Sequence, residues 1–447
     1  MTIERNTARS GNVQTTRNRR QLTRTYIASF VGTTIEFYDF IVYGTAASLV
    51  FGKVFFESAP PAIGLIASIA TLAIGYAARP LGGVIFGHFG DKIGRKSALI
   101  WTMSLMGVST FLIGVLPSAA QAGALAPILL IVLRLVQGIA VGGEYGGAVL
   151  ISVEHAPPNR RGFFGGAAGL GSGAGTLLAY AVFGALGGLD EKDFMTWGWR
   201  LPFLASIVMV GVGLYIRLRV DESPVFVSEQ KRAAEEPATK AKAPLFAVLR
   251  EQPRKVLLAI GVCSGTFMAQ AIVSTTLISY ATTQFGLSRK SLLDTLNIAL
   301  VVMIFAIPLF SWLSDKVGRR MVRVPAAALF AVFSFFMFPM LESRSTPIIL
   351  LAFVISMAIL NGAAAGTNGA LLSELFPTKY RYTGTSVAYQ MAGLIGGGIG
   401  PLLAAVFLAP GGPGPGAVAV MTAAFCVVSA VCTVFVGDTR KTDLQNA

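Results

Sequence analysis

Twelve predominantly apolar runs, each of about 20 residues or more, divide this chain, and they leave it few folds. They lie near 26–50, 61–86, 98–117, 126–152, 163–187, 198–216, 256–284, 292–313, 322–341, 347–372, 384–409 and 416–436. A run of that length covers the hydrocarbon of a bilayer, and an isolated segment inside a bilayer satisfies its backbone only as a helix. The expected fold class is an all-α membrane protein with twelve transmembrane helices. Composition agrees: 13% of residues are charged, against about a quarter in soluble domains.

The runs form two sets of six, related by duplication. Gly87-His88-Phe89-Gly90-Asp91-Lys92-Ile93-Gly94-Arg95-Lys96 is echoed by Ser311-Trp312-Leu313-Ser314-Asp315-Lys316-Val317-Gly318-Arg319-Arg320, with Asp91 and Asp315 half of the 447-residue chain apart. A second pair keeps nearly the same offset: Glu154-His155-Ala156-Pro157-Pro158-Asn159-Arg160-Arg161-Gly162 and Glu374-Leu375-Phe376-Pro377-Thr378-Lys379-Tyr380-Arg381-Tyr382-Thr383-Gly384. Self-similarity on this scale in an apolar chain is the mark of duplicated transporter halves. Two six-helix bundles related by pseudo-two-fold symmetry follow. They occupy 25–219 and 255–437, with a basic tail over 1–24, a charged linker over 220–254 and a polar tail over 438–447. The first tail reads as disordered, and Glu229, Lys231, Arg232, Glu235 and Glu236 are spaced for short surface helices in the linker.

The net charge of +14 raises the question of nucleic acid, and its placement answers it. Of the 36 Lys and Arg, 28 fall in segments that the alternation of spans puts on one side. That is the positive-inside bias, which places both termini in the cytoplasm. Anionic lipid headgroups, rather than nucleic acid, are the expected partners of the basic loops. No cleavable signal peptide is expected, because the first 24 residues are polar and basic. Short outer loops without an Asn-x-Ser/Thr acceptor fit a bacterial inner membrane. Cys263, Cys426 and Cys432 all fall in apolar runs and read as small packing residues. No metal site or cofactor is expected, and the protein is expected to be monomeric.

Charge in hydrocarbon costs at least about 2.5 kcal/mol per residue on insertion scales, so each such residue is a functional candidate. The first half holds nearly all of them: Glu36 and Asp39 in the first run, Arg79 in the second, Arg134 and Glu144 in the fourth, Arg200 at the start of the sixth. Glu36 and Asp39 share a helix face and can exchange protons, with a static salt bridge to Arg79 or Arg134 as the alternative. Glu144, set among glycines in Gly142-Gly143-Glu144-Tyr145-Gly146-Gly147, is a third proton-coupling candidate against a packing ion pair. Arg134 and Gln137 share a face and suit a carboxylate ligand or neighbour. Tyr38, Tyr43, Tyr145, Gln270 and Asn361 complete the substrate-binding candidates, although hydrogen bonding between helices or simple packing explains such residues about as well. His88 and His155 stand at helix ends, so proton coupling falls to carboxylates. Asp91 and Asp315 read as latches, each able to meet a neighbouring helix N-terminus. Arg95, Arg319, Glu154, Arg161, Glu374 and Arg381 are the charged partners around them. Fifty glycines, concentrated in runs four, five, ten and eleven, point to closely packed, moving seams.

These motifs resemble the major facilitator superfamily: the loop at 87–96 matches its Gly-x-x-x-Asp-x-x-Gly-Arg-basic motif, and Arg134-Leu135-Val136-Gln137-Gly138 matches its fourth-helix motif. Glu36-Phe37-Tyr38-Asp39-Phe40, Arg79-Pro80-Leu81-Gly82-Gly83, Trp199-Arg200-Leu201-Pro202-Phe203 and Glu222-Ser223-Pro224 resemble the metabolite:proton symporters, a group with proline/betaine, alpha-ketoglutarate, citrate and shikimate transporters. The resemblance implies alternating access driven by a proton gradient, and a substrate carboxylate held by Arg79 and Arg200. Ser311 departs from the pattern where the first loop has Gly87, which is expected to loosen the second latch. The reading is a secondary active transporter, not an enzyme: a proton-coupled symporter of a small organic acid or zwitterion. A proton-driven efflux antiporter and a transporter-like sensor remain open alternatives.

Overall fold

In the computed structural model, which describes residues 2–186, 189–223, 226–228, 230, 244–440, 442 and 444, all twelve runs are helical. α1 (Thr2–Ala46) continues through a π-helical turn (Ala47–Phe51) into Gly52–Phe55. It is followed by α2 (Pro61–Ile93), α3 (Arg95–Val115), α4 (Leu125–His155), α5 (Arg161–Leu186) and α6 (Leu201–Leu218). The second set is α7 (Pro253–Phe285), α8 (Arg289–Val317), α9 (Arg319–Glu342), α10 (Thr346–Leu375), α11 (Arg381–Leu408) and α12 (Pro415–Val436). α7, α10 and α11 each carry an internal π-helical stretch, at Ile272–Thr276, Val354–Asn361 and Gly393–Ile399. Among the described residues eleven helices, α2 to α12, are long and apolar enough to cross a membrane. α1 carries the remaining expected span, with Glu36 and Asp39 inside it.

One expectation about the tails changes. Residues 2–24 continue α1 as helix, because extending a helix that a buried span has already nucleated costs far less than starting one. In the linker, Pro244–Glu251 is helical, whereas Glu229, Lys231, Arg232, Glu235 and Glu236 lie outside the described residues.

The packing carries the duplication into three dimensions. Within the first set α2 lies on α4, α1 on α5, and α3 on α4 and α6; within the second, α7 and α9 lie on α12. Between the sets, α2 packs on α11, and its repeat counterpart α8 packs on α5. Glycines make these approaches possible. A Cβ on Gly142 of α4 would collide with the Arg79 carbonyl of α2, and one on Gly369 of α10 with the Gly165 backbone of α5. The conserved geometry of the repeat loops also rests on glycine. Gly94 (φ 111°) and Gly318 (φ 102°) break α2 from α3 and α8 from α9 in a conformation that other residues rarely adopt.

Candidate functional site

α1, α2 and α4 meet around a small cavity lined by Glu36, Asp39 and Phe40 of α1, Gly75 and Arg79 of α2, and Arg134, Gln137, Gly138 and Val141 of α4. Its volume is about 10 Å³, enough for one water, so a metabolite enters only when the helices part. The cavity brings together four of the five intramembrane charges that the sequence singled out on these helices, all but Glu144. All four are at least nine-tenths buried, yet no direct ion pair joins them among the described residues. Glu36 Oε2 and Asp39 Oδ1 are buried without a hydrogen-bond partner, so the static salt bridge is not made.

The cations are held by rings instead. The Arg79 guanidinium lies 4.6 Å from the Phe40 centroid and 4.8 Å from that of Tyr76. Arg134 lies 3.8 Å from the Tyr43 centroid, and the Tyr43 hydroxyl is 2.7 Å from that of Thr71. Stacking fixes the plane of a guanidinium while leaving its N–H fork available, which suits a carboxylate ligand. Arg134 and Gln137 do share a face: Arg134 Nη1 donates to Gln137 Oε1 at 2.7 Å. Gln137 Nε2 in turn donates to Thr110 Oγ1 of α3 at 2.7 Å, and Thr110 Oγ1 lies 2.8 Å from Asp39 Oδ2. Cation and carboxylate are therefore joined through an amide and a hydroxyl.

Other candidates stand elsewhere. Glu144 is outside the cavity lining and forms a buried ion pair with Arg217, near the end of α6; Arg217 Nη1 reaches Glu144 Oε2 at 2.9 Å, Nη2 contacts Oε1, and Thr102 donates at 2.9 Å. Tyr38 packs in the first-half core and donates to the Pro202 carbonyl at 3.0 Å. Arg200 binds the carbonyls of Gly114 and Leu116 at 2.9 and 2.6 Å, capping the end of α3 rather than joining Arg79. Tyr145 stacks face to face on Tyr389 of α11, centroids 3.4 Å apart. Gln270 is half-buried and Asn361 buried. Neither lines this cavity, and the Asn361 amide lies 3.9 Å from the Met357 sulfur.

Four residues that matter here escaped the sequence reading. Thr110 and Tyr76 look like ordinary members of apolar helices. Arg217 and Arg323 sit within a turn or two of charged loops and look like part of them, yet both are buried. Among the described residues Arg323 has no acid beside it; its two terminal nitrogens donate to the Val262 and Ala364 carbonyls at 2.5 and 2.8 Å, and to Thr266, Thr367 and Asn368. Among the described residues the second half thus holds one cation at this depth, its two terminal nitrogens engaged by neutral acceptors while Nε is buried without a partner.

At the end of the bundle bearing the repeat loops, each repeat aspartate reaches across to the other half. Asp91 accepts from the backbone N–H groups of Tyr382 and Thr383 at 3.2 and 3.0 Å, at the start of α11. Asp315 accepts from those of Gly162 and Phe163 at 2.7 and 2.8 Å, at the start of α5. Each carboxylate meets a helix N-terminus of the other half, where the helix dipole favours it. Glu154 pairs with Arg95 and Arg381 at 3.3 and 3.0 Å, and Glu374 with Arg319 at 2.9 Å. Arg161 instead donates to the Thr442 carbonyl at 2.6 Å. Ser311 does not loosen its latch: its hydroxyl bonds the Gly366 carbonyl of α10 at 2.9 Å, fastening α8 across the contact.

Comparison with known proteins agrees with this architecture. The family model described as Major Facilitator Superfamily matches residues 29–388 and again 291–447. The chain is 37% identical over 422 residues to the "Shikimate transporter" of Escherichia coli (strain K12), covering 94% of this chain and 95% of that one. It is 37% identical over 423 residues to the "Inner membrane metabolite transport protein YhjE" of the same organism, covering 94% of each. A solved structure of the proton:xylose symporter XylE bound to 6-bromo-6-deoxy-D-glucose superposes with a TM-score of 0.78 at 19% identity, over 96% of this chain and 98% of that one. The fold, the duplicated loops and these matches together establish that the chain is a transporter belonging to the major facilitator superfamily.

Proposed function

We propose that this transporter is a proton-coupled symporter of a small carboxylate-bearing metabolite, an organic acid or zwitterion. The observation that carries the reading is the cavity: two ring-stacked guanidiniums facing two carboxylates that each keep an oxygen without a partner. Its four charges sum to zero when both acids are ionised. A substrate carboxylate arriving on Arg79 adds one uncompensated negative charge in a site screened from water, which costs several kcal/mol. A proton arriving on Glu36 or Asp39 with it keeps the sum at zero. Each ligand then lowers the cost of the other, which is the thermodynamic content of symport.

Alternating access follows from the paired latches. With Asp91 and Asp315 seated, the basic end is closed; their release would let the halves rock and open the cavity to that side. The charge bias of the loops supports a cytoplasmic position for this end and for both termini, and the relatives support a bacterial inner membrane. Uptake of labelled shikimate, citrate, alpha-ketoglutarate, proline and betaine into cells expressing the protein, with and without a protonophore, tests the reading. Accumulation of one compound that collapses with the protonophore, and is lost in Arg79→Gln, supports it. Protonophore-insensitive uptake overturns the coupling, and protonophore-sensitive export would make the chain an antiporter.

A further inference from the structure

Thr110 of α3 is fully buried, and its hydroxyl has three polar neighbours but one proton. Gln137 Nε2 donates to it at 2.7 Å; Asp39 Oδ2 lies at 2.8 Å and the Met106 carbonyl at 3.0 Å. A hydroxyl offers one donor and two acceptor sites, so it serves either Asp39 or Met106 at a given moment. We propose that Thr110 is a positioning residue that switches its single proton between Asp39 and the Met106 carbonyl as Asp39 gains and loses a proton, holding the Gln137–Arg134 pair in place in both states.

The bonds balance in each state. With Asp39 ionised, Thr110 donates to Oδ2 and accepts from Gln137. When a proton arrives on Oδ2, that O–H donates to the second lone pair of Thr110, and the hydroxyl turns to Met106. Gln137 keeps its acceptor throughout, so Arg134, held through Gln137 Oε1, is not released by protonation. The Met106 carbonyl, inside α3, has its helical N–H partner in either case and is left unsatisfied in neither. Direct contact between Arg134 and Asp39 would behave differently, since protonation would then cut the cation loose.

The inference rests on the coupling role proposed above for Asp39, and its test separates the two. The charged and titratable groups around Asp39 are Glu36, Tyr38 and Tyr43 on α1, Arg79 and Tyr76 on α2 and Arg134 on α4. Arg217 on α6 is engaged by Glu144, and α3 contributes Thr110. Infrared titration of the purified full-length protein in lipid identifies protonated Asp39 as the carbonyl band lost in Asp39→Asn. Thr110→Val, nearly isosteric, removes a donor to the ionised form and strands Gln137 Nε2. Asp39 in that variant should keep its proton down to an about tenfold lower proton concentration, the equivalent of one charge-assisted hydrogen bond. Its band should also shift in frequency, for want of the Thr110 acceptor, and Thr110→Ser should restore both.

A band unchanged in Thr110→Val, or not restored by Thr110→Ser, overturns the switch while leaving coupling intact. The expected band behaviour together with uptake of labelled shikimate that ignores a proton gradient would sink the coupling and leave the switch standing. If no band depends on Asp39 at any pH at which the protein is folded, both are wrong.

Discussion

Neutralising one partner of the Glu144–Arg217 pair should destabilise the protein far more than neutralising both. Both side chains are at most 3% exposed, and the pair is served by Thr102 and by the Leu99 carbonyl, 2.5 Å from Arg217 Nη1. Arg217→Met leaves a buried carboxylate with one hydroxyl donor; Glu144→Gln leaves a buried guanidinium with one carbonyl and a neutral amide. Stranding a charge in this way costs about 3–5 kcal/mol, and insertion scales put a lone arginine at mid-helix at about 3 kcal/mol. The double variant removes both charges and should recover at least about 2 kcal/mol of the summed single effects. The measurement is a double-mutant cycle on unfolding of the purified protein in mixed micelles. Additivity within about 0.5 kcal/mol would refute the reasoning. So would a Glu144→Gln variant of unchanged stability that has lost its proton dependence, since Glu144 would then be a proton carrier rather than a structural partner.

Arg323→Lys should destabilise the second half by about 2 kcal/mol or more despite keeping the charge, because an ammonium cannot reach five acceptors served by a planar fork; thermal unfolding in detergent reads this. Removing residues 438–447 takes away the Thr442 carbonyl from Arg161, the Leu444 carbonyl from Arg381 and the Thr439 hydroxyl from Glu374. A cysteine placed at Ser386, in a background without Cys263, Cys426 and Cys432, should then label severalfold faster from the basic end. Gln390→Leu removes two 3.3 Å bonds to the Val141 and Gly142 carbonyls, together worth about 1 kcal/mol. It should raise the same labelling rate about fivefold, and an unchanged rate would mean that this contact does not hold the halves together.

The helices were legible because a bilayer imposes one length and one backbone solution. Repeated loops were legible because each needs an acid for a helix N-terminus and a glycine for a positive φ. In the cavity, Glu36 with Asp39 and Arg134 with Gln137 could be read from spacing, since three residues along a helix share a face. Depth was harder. Arg217 and Arg323 lie so close to basic loops that nothing local distinguishes a buried arginine from one reaching headgroups; only the carbonyls and hydroxyls of other helices decide it. The sequence leaves Glu144 open between a proton carrier and a packing ion pair, because its partner stands 73 residues away. Thr110 carried no signal, because a threonine in an apolar helix usually bonds its own backbone, and this one has a backbone carbonyl at 3.0 Å as one of its two acceptors.

The two halves keep a common latch and differ in what lies behind it. Arg323 is held at both terminal nitrogens by neutral acceptors, and among the described residues no carboxylate stands beside it to take up a proton. The cavity of the first half has carboxylate oxygens without partners, so a proton or a ligand alters its energy at once. α11 touches both regions: Tyr382 and Thr383 at its start hold Asp91, and two turns later Gln390 reaches the carbonyls of Val141, which lines the cavity, and Gly142. A helix of this kind moves as a rod, so a shift of α4 on filling the cavity displaces α11 and loads the Asp91 latch a few turns away. Asp315 belongs to the other seam, where α4 bears on α5 through the Ser152 Oγ–Phe164 carbonyl bond at 2.8 Å, about three turns from the cavity-lining Val141. The first latch should therefore yield before the second, despite their shared sequence.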